Sequence, residues 1–149
     1  MMPSPIYVKV RAIIIERGSM LLSEYDDETG LHYNLPGGTV EAGEALHDAL
    51  VREVREETGL RVRIGKLRYV WEYVPQQRDF FYGAQASVTL CFACEIIEDT
   101  GTPSLDPNQI GSRWIPLSDL PETTLLPPEI IPYLVADEGD QPTRFLGQI

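Results

Sequence analysis

Residues 38–60 read Gly-Thr-Val-Glu-Ala-Gly-Glu-Ala-Leu-His-Asp-Ala-Leu-Val-Arg-Glu-Val-Arg-Glu-Glu-Thr-Gly-Leu, a glycine-bearing loop that runs into a segment crowded with carboxylates. Its apolar spacing predicts a helix that starts near Glu44–Ala45 and stops at Gly59, where a left-handed residue closes the last turn. At about 100° per residue, Leu46, Ala49, Leu50 and Val54 form one apolar stripe. Glu53, Glu56 and Glu57 fall within or beside that stripe, whereas Asp48, Arg52 and Arg55 point the other way. The three acids are therefore expected to face inward, or along the edge of the buried face.

Such a placement is costly for an ordinary helix. Glu53 meets Glu56 and Glu57 at i+3 and i+4, and each like-charge pair destabilises by roughly 0.2–0.5 kcal/mol. All three lie near the helix C-terminus, where the macrodipole also disfavours anions. A bound cation reverses both effects, and an all-oxygen shell suits a hard ion such as Mg²⁺ or Mn²⁺. A solvated charged face satisfies the same spacing, so geometry alone leaves both readings open.

The spacing Gly38, five residues, Glu44, seven residues, Arg52-Glu53-Val54-Arg55-Glu56-Glu57-Thr58-Gly59-Leu60 resembles the Nudix box. Every fixed position is filled, with Val54 and Leu60 at the two aliphatic places, over 23 of the 149 residues. The resemblance implies a Nudix hydrolase with an α/β/α sandwich, a mixed β-sheet lying between helices. It implies catalytic roles for Arg52, Glu53, Glu56 and Glu57, and Mg²⁺ (or Mn²⁺) held by Glu53, Glu56 and Glu57. A backbone carbonyl of Gly38 joins that metal shell by the same resemblance, with Gly37 as the alternative donor. Arg52 is expected to anchor helix and loop by pairing with Glu41 or Glu44.

The implied reaction is hydrolysis of a nucleoside diphosphate linked to another group. Relatives often draw the general base from a loop acid, and many read Asp-Pro-x-Glu-Ile before a Trp-bearing strand. Here that segment is Asp106-Pro107-Asn108-Gln109-Ile110, which puts an acid role at position 109 in doubt. Glu95, Glu98 and Asp106 are the acids left outside the box. Pro75 lies 15 residues beyond Leu60, about where Nudix hydrolases of ADP-ribose tend to carry a proline. The surrounding Trp71, Tyr73, Phe80, Phe81 and Tyr82 supply rings for stacking a base, and Arg78 a cation for phosphate. The resemblance thus favours ADP-ribose or a nucleoside diphosphate sugar. Nucleoside triphosphates are the alternative substrates, and a non-catalytic nucleotide-binding module the alternative class.

Composition narrows the partners. A length of 149 residues suits a single domain, here residues 1–149. A net charge of −11 opposes a nucleic-acid polymer, whose backbone needs basic surface, but leaves room for a small nucleotide screened by a divalent ion. No apolar run is long enough for a membrane helix. Met-Met-Pro-Ser-Pro leads into a strand pattern containing Lys9 and Arg11 rather than a leader's apolar core, so the cytoplasm is the expected compartment. A homodimer stays open. Cys91 and Cys94 sit three apart in a strand pattern, which puts their thiols on opposite faces and argues for packing rather than zinc.

Elsewhere the pattern predicts strands at 6–15 and 20–25 joined as a hairpin, then a short strand at 32–35 ending at Pro36-Gly37-Gly38. His32 reads as an edge or loop residue and His47 as a surface one. Residues 60–74 read as strand broken at Gly65-Lys66, residues 80–97 as a long strand interrupted near Gly83, and 98–111 as a long loop. A strand-then-helix element follows at 114–120, a second helix at 127–137, a break at 137–141, and a tail or edge strand at 143–149. Two helices and six to eight strands are expected in all.

Overall fold

The computed structural model describes residues 5–137 and 139–149, so Met1–Ser4 and one position of the expected break at 137–141 lie outside the described residues. The elements run Tyr7–Ile13 (β1), Ile15–Glu16 (β2), Ser19–Asp27 (β3), Gly30–Asn34 (β4), Gly37–Thr39 (β5), Leu46–Thr58 (α1), Leu60–Tyr73 (β6), Ser87–Asp99 (β7), Gln109–Pro116 (β8), Ile131–Val135 (α2) and Arg144–Gln148 (β9). Short 3-10 turns occupy Pro75–Gln77, Leu117–Glu122 and Pro128–Ile130.

One sheet is mixed and five-stranded, in the order β5-β1-β7-β6-β9. Strands β1 and β7 run parallel, as do β6 and β9, while β5–β1 and β6–β7 are antiparallel. A second sheet is antiparallel throughout and centres on β3, which pairs with β2, β4 and β8. Period-two alternation divides the strand side chains between two cores. Val10, Ala12, Leu21, Val62 and Phe92 pack against Ala49, Leu50 and Val54 of α1. Ile13, Met20, Leu22, Tyr69 and Cys91 face the opposite core, closed by Leu120, Ile130 and Leu134 from the α2 side. The expected α/β/α layering is what results.

Helix α1 ends as its sequence requires. Gly59 adopts φ 76° and returns its N–H to the Arg55 carbonyl at 2.9 Å. Ala49, Leu50 and Val54 are buried as the stripe predicts, whereas Leu46 at the first turn is partly exposed. His47 is exposed on the helix and meets the Phe92 ring edge-on at 5.3 Å. Cys91 and Cys94 are free thiols in different cores, and burial pushes both pKa values up, that of Cys94 to about 12.

Several expectations need correction. The expected hairpin is made only by β2 and β3. Strand β1 has apolar residues on both faces, so it sits centrally between β5 and β7. Gly37–Thr39 is not loop but strand, paired to β1. The Gly65-Lys66 break is a shift of register inside a continuous β6. The long loop shrinks to residues 100–108, because cross-strand pairs Arg61–Glu98 and Arg63–Glu95 carry the β6–β7 ladder outward. Residues 80–86 are turn and irregular backbone, held where the Tyr73 hydroxyl donates to the Gly83 carbonyl at 2.6 Å and accepts the Tyr82 N–H at 3.0 Å. The second helix is a 3-10 turn followed by five α-helical residues, since Pro128 and Pro132 withhold N–H donors. The strands number nine among the described residues.

A Cβ at Gly59 would lie 2.1 Å from the Gly101 carbonyl oxygen. The left-handed backbone alone costs a Cβ-bearing residue roughly 1–2 kcal/mol. Gly59→Ala is therefore expected to lose at least that much unfolding free energy in urea titration. A change within about 0.5 kcal/mol, the range of ordinary surface substitutions, would contradict the packing described.

Candidate active site

The chemistry gathers where α1 lies across β5. Glu57 is buried, and its carboxylate accepts from the Ser23 hydroxyl at 2.8 Å, the Tyr25 hydroxyl at 3.3 Å and the Gly37 N–H at 3.1 Å. Burial nevertheless dominates, and the nearby Glu53 adds to it, so the Glu57 pKa rises to about 7. Glu53 is half-buried against Gly38. A Cβ there would lie 2.6 Å from the Glu53 carboxyl carbon, so glycine is what lets carboxylate and backbone meet. Desolvation likewise raises the Glu53 pKa. Glu56 is exposed on the helix flank.

Arg52 organises the other side. Its guanidinium grips Glu44 with two bonds, 2.7 Å from Nε and 3.0 Å from Nη2, and reaches Glu53 at 3.0 Å and Glu56 at 3.4 Å. Glu41 lies farther away, at 3.9 Å. Of the two anchors expected, Glu44 is the main one. Its carboxyl is held near pKa 2 by the Arg52 bonds, and Arg52 is fixed in its charged form by the same contact.

The structure thus brings Gly38, Arg52, Glu53 and Glu57 together, with Glu56 beside them. Among the described residues no three acidic, His or Cys side chains close into a finished ligand set. The donors still fit a hard divalent ion: they are oxygen only, and Glu53 and Glu57 both carry raised pKa values that a cation would reverse. Glu53, Glu56 and Glu57 are the side chains that could hold it.

Outside the box, the structure separates the candidate acids. Glu95 and Glu98 are tied to Arg63 and Arg61 on the exposed hairpin. Asp106 stands at the turn before β8, where its carbonyl accepts the N–H of Gln109, the residue that in turn reaches Glu57. Gln109 is buried, and its amide donates to the Glu57 carbonyl at 2.9 Å and the Gly111 carbonyl at 3.0 Å. An amide therefore does structural work that a carboxylate could not.

Beside the box opens a pocket of about 280 Å³, walled by Trp71, Tyr73 and Tyr82, with Lys9, Arg11 and Asn34 among its polar groups. Of the rings expected to stack a base, Trp71, Tyr73 and Tyr82 line this pocket, whereas Phe80 and Phe81 are exposed. Arg78, the arginine expected near phosphate, is not among the lining residues and pairs with Glu129 at 3.1 Å. The cations in the pocket are Lys9 and Arg11, which sequence reasoning passed over. The signal available was that both share a strand face with the buried Ile13.

The sequence matches the NUDIX domain over residues 6–134. The chain belongs to the NUDIX family. Among curated relatives, a NAD-capped RNA hydrolase of Salmonella paratyphi C is 35% identical over 122 residues, covering 78% of this chain and 40% of that protein. A putative 8-oxo-dGTP diphosphatase of Bacillus subtilis is 45% identical over 56 residues, covering 38% of this chain and 32% of that protein. The chain therefore spans well under half the length of either relative. Among solved structures, a NUDIX hydrolase from Nitrosomonas europaea superimposes with TM-score 0.74 at 21% identity, over 88% of this chain and 86% of that one. An ADP-ribose pyrophosphatase from Streptococcus suis does so at 0.70 and 19%, over 97% and 100%. At these identities the two structures share the NUDIX fold with this chain.

The Glu57 environment sets a pH dependence for this NUDIX domain. Its folded pKa of about 7 lies above the ordinary 4.5, so between those values the folded state holds the extra proton. The contribution is full below pH 4.5 and is lost as pH rises to about 7. In metal-free protein, wild type is expected to lose more stability than Glu57→Gln across that window, read from thermal midpoints. Equal slopes in the two proteins would contradict the burial assigned to this carboxyl.

Proposed function

We propose that the protein hydrolyses the pyrophosphate linkage of a nucleoside diphosphate joined to another group, using Mg²⁺ or Mn²⁺ at the box carboxylates. The observation that carries this reading is the pair of acids, Glu53 and Glu57, held against Gly38 and Gly37 with their charge disfavoured until a cation arrives. Bound there, the ion would stabilise charge on phosphoryl oxygens and favour attack by water. Arg52 acts as a positioning residue, locking the Glu44 loop to α1 while setting the orientation of Glu53 and Glu56. A carbonyl of Gly38, or of Gly37, completes the donor set in this reading. Asp106 is the candidate base outside the box, and the cytoplasm the proposed compartment. No helix among the described residues is long and apolar enough to cross a membrane.

For substrate we favour ADP-ribose or a nucleoside diphosphate sugar. Pro75 is buried and opens the turn that delivers Tyr82 to the pocket wall, so the proline marker adjoins the site. Nucleoside triphosphates are the second reading, supported by the match to the Bacillus subtilis relative. Initial rates with Mg²⁺ on ADP-ribose, nucleoside diphosphate sugars and nucleoside triphosphates decide between them. Faster release of pyrophosphate from triphosphates would overturn the substrate choice and leave the reaction class. No turnover of any of them, with nucleotide binding intact, would favour a binding module.

Glu56→Gln and Glu57→Gln are each expected to lower turnover by orders of magnitude and to reduce the rise in thermal midpoint on adding Mg²⁺. Removing one of the stacked acids should leave metal-free stability level or slightly higher. Near wild-type turnover in both variants would sink the metal assignment.

A further inference from the structure

The two oxygens of the Glu57 carboxylate are not equivalent. Each oxygen of a carboxylate offers about two lone-pair positions to donors or cations. Oε1 accepts from the Ser23 hydroxyl at 2.8 Å and from the Tyr25 hydroxyl at 3.3 Å, which fills both of its positions. Oε2 accepts from the Gly37 N–H at 3.1 Å and keeps its other position. The Glu53 carboxylate packs at Gly38, the next residue, so the oxygen with the spare position is the one held at the glycine pair.

Both hydroxyls stand on a strand that is braced on either side. Ser23 and Tyr25 are two apart on β3 and so share one face. Ser23 lies opposite Asn34 of β4 and Ser112 of β8, and Tyr25 opposite His32 and Gln109. The Tyr25 ring stacks on that of His32, with centroids 5.6 Å apart and planes 13° from parallel. The Gln109 amide meanwhile donates to the Glu57 carbonyl at 2.9 Å, so the residue is gripped at backbone and side chain together. Turning the carboxylate to free Oε1 would break bonds that water can hardly replace, since Ser23 is fully buried and Glu57 nearly so.

We propose that Ser23 and Tyr25 are positioning residues that set the choice of cation: they occupy Oε1 and leave Glu57 to act through Oε2 alone. A carboxylate limited to one oxygen suits Mg²⁺, which demands near-octahedral geometry. It suits the larger Ca²⁺ less, because Ca²⁺ takes more oxygens and accepts both from one carboxylate. The proposal rests on the metal reading above, and binding measurements separate the two.

Mn²⁺ electron paramagnetic resonance tests it without turnover. Free Mn²⁺ is measured against metal-free protein, and Mg²⁺ or Ca²⁺ is then titrated in as competitor. The proteins are wild type, Ser23→Ala, Tyr25→Phe, the double variant and Ser23→Thr. With Oε1 released, the ratio of Ca²⁺ to Mg²⁺ affinity is expected to rise about tenfold in the double variant and by less in each single one. Ser23→Thr keeps the hydroxyl and should stay near wild type. A loosened fold weakens both ions alike and leaves the ratio where it was. An unchanged ratio in a double variant that still folds, judged by its thermal midpoint in EDTA, would therefore overturn the proposal. If the double variant does not fold, an unchanged ratio in Tyr25→Phe overturns it in the same way. A ratio in Ser23→Thr shifted as far as in Ser23→Ala would assign the effect to packing and overturn it too. No Mn²⁺ bound by wild type would remove the metal reading and the proposal with it, whereas Mn²⁺ binding with a flat ratio removes the proposal alone.

Discussion

The buried carboxylate of Glu57 is the contact on which the site depends. It ties three parts of the chain that are distant in sequence: α1, which carries it, β3 through Ser23, and β5 through Gly37. Gln109 then fastens the backbone of the same residue to the start of β8. A carboxylate taken out of water without a cationic partner of its own is unfavourable even when hydrogen-bonded. The fold keeps it there because α1 is pinned independently, by Leu50 and Val54 below and by the Gly59 cap at its end. Stability supplied by apolar packing thus supports a group that, left to itself, would seek solvent.

Arg52 solves the complementary problem. Stacked acids at i+3 and i+4 repel one another, and one guanidinium lies among Glu44, Glu53 and Glu56 to offset that repulsion. Its strongest contact is with Glu44, which lies before the first turn of α1. The guanidinium thereby fixes the glycine-bearing loop relative to the helix and leaves the Glu57 oxygens to β3 and β5.

What the sequence made legible was local. The limits of α1, the inward turn of Glu53 and Glu57 and the split between Cys91 and Cys94 follow from periods of 3.6 and 2.0, while Glu56, expected with them, lies exposed. Residues 37–39 escaped because a glycine-rich triplet has no intrinsic strand preference, and only pairing with β1, far off in sequence, makes it β5. Arg78 reads in sequence as a free cation, and its partner Glu129 lies 51 residues on. Gln109 could be read as a lost acid but not as a brace for Glu57. The meeting of Lys9 with Trp71 needs two separate strand registers through Thr89, and no window of sequence contains both.

Charge is distributed so that the two sides of the cleft do not cancel. Arg11 is close enough to Glu57 to lower its pKa, yet no ion pair forms between them within 4.0 Å, because Gly37 and the Leu35 carbonyl hold each group in place. Had they joined, each would have served as the other's counter-ion. Held apart, they place groups of opposite sign side by side with no ion pair between them. The fold therefore spends its rigidity, in α1 below and the β1–β5 ladder above, on keeping those two charges from meeting.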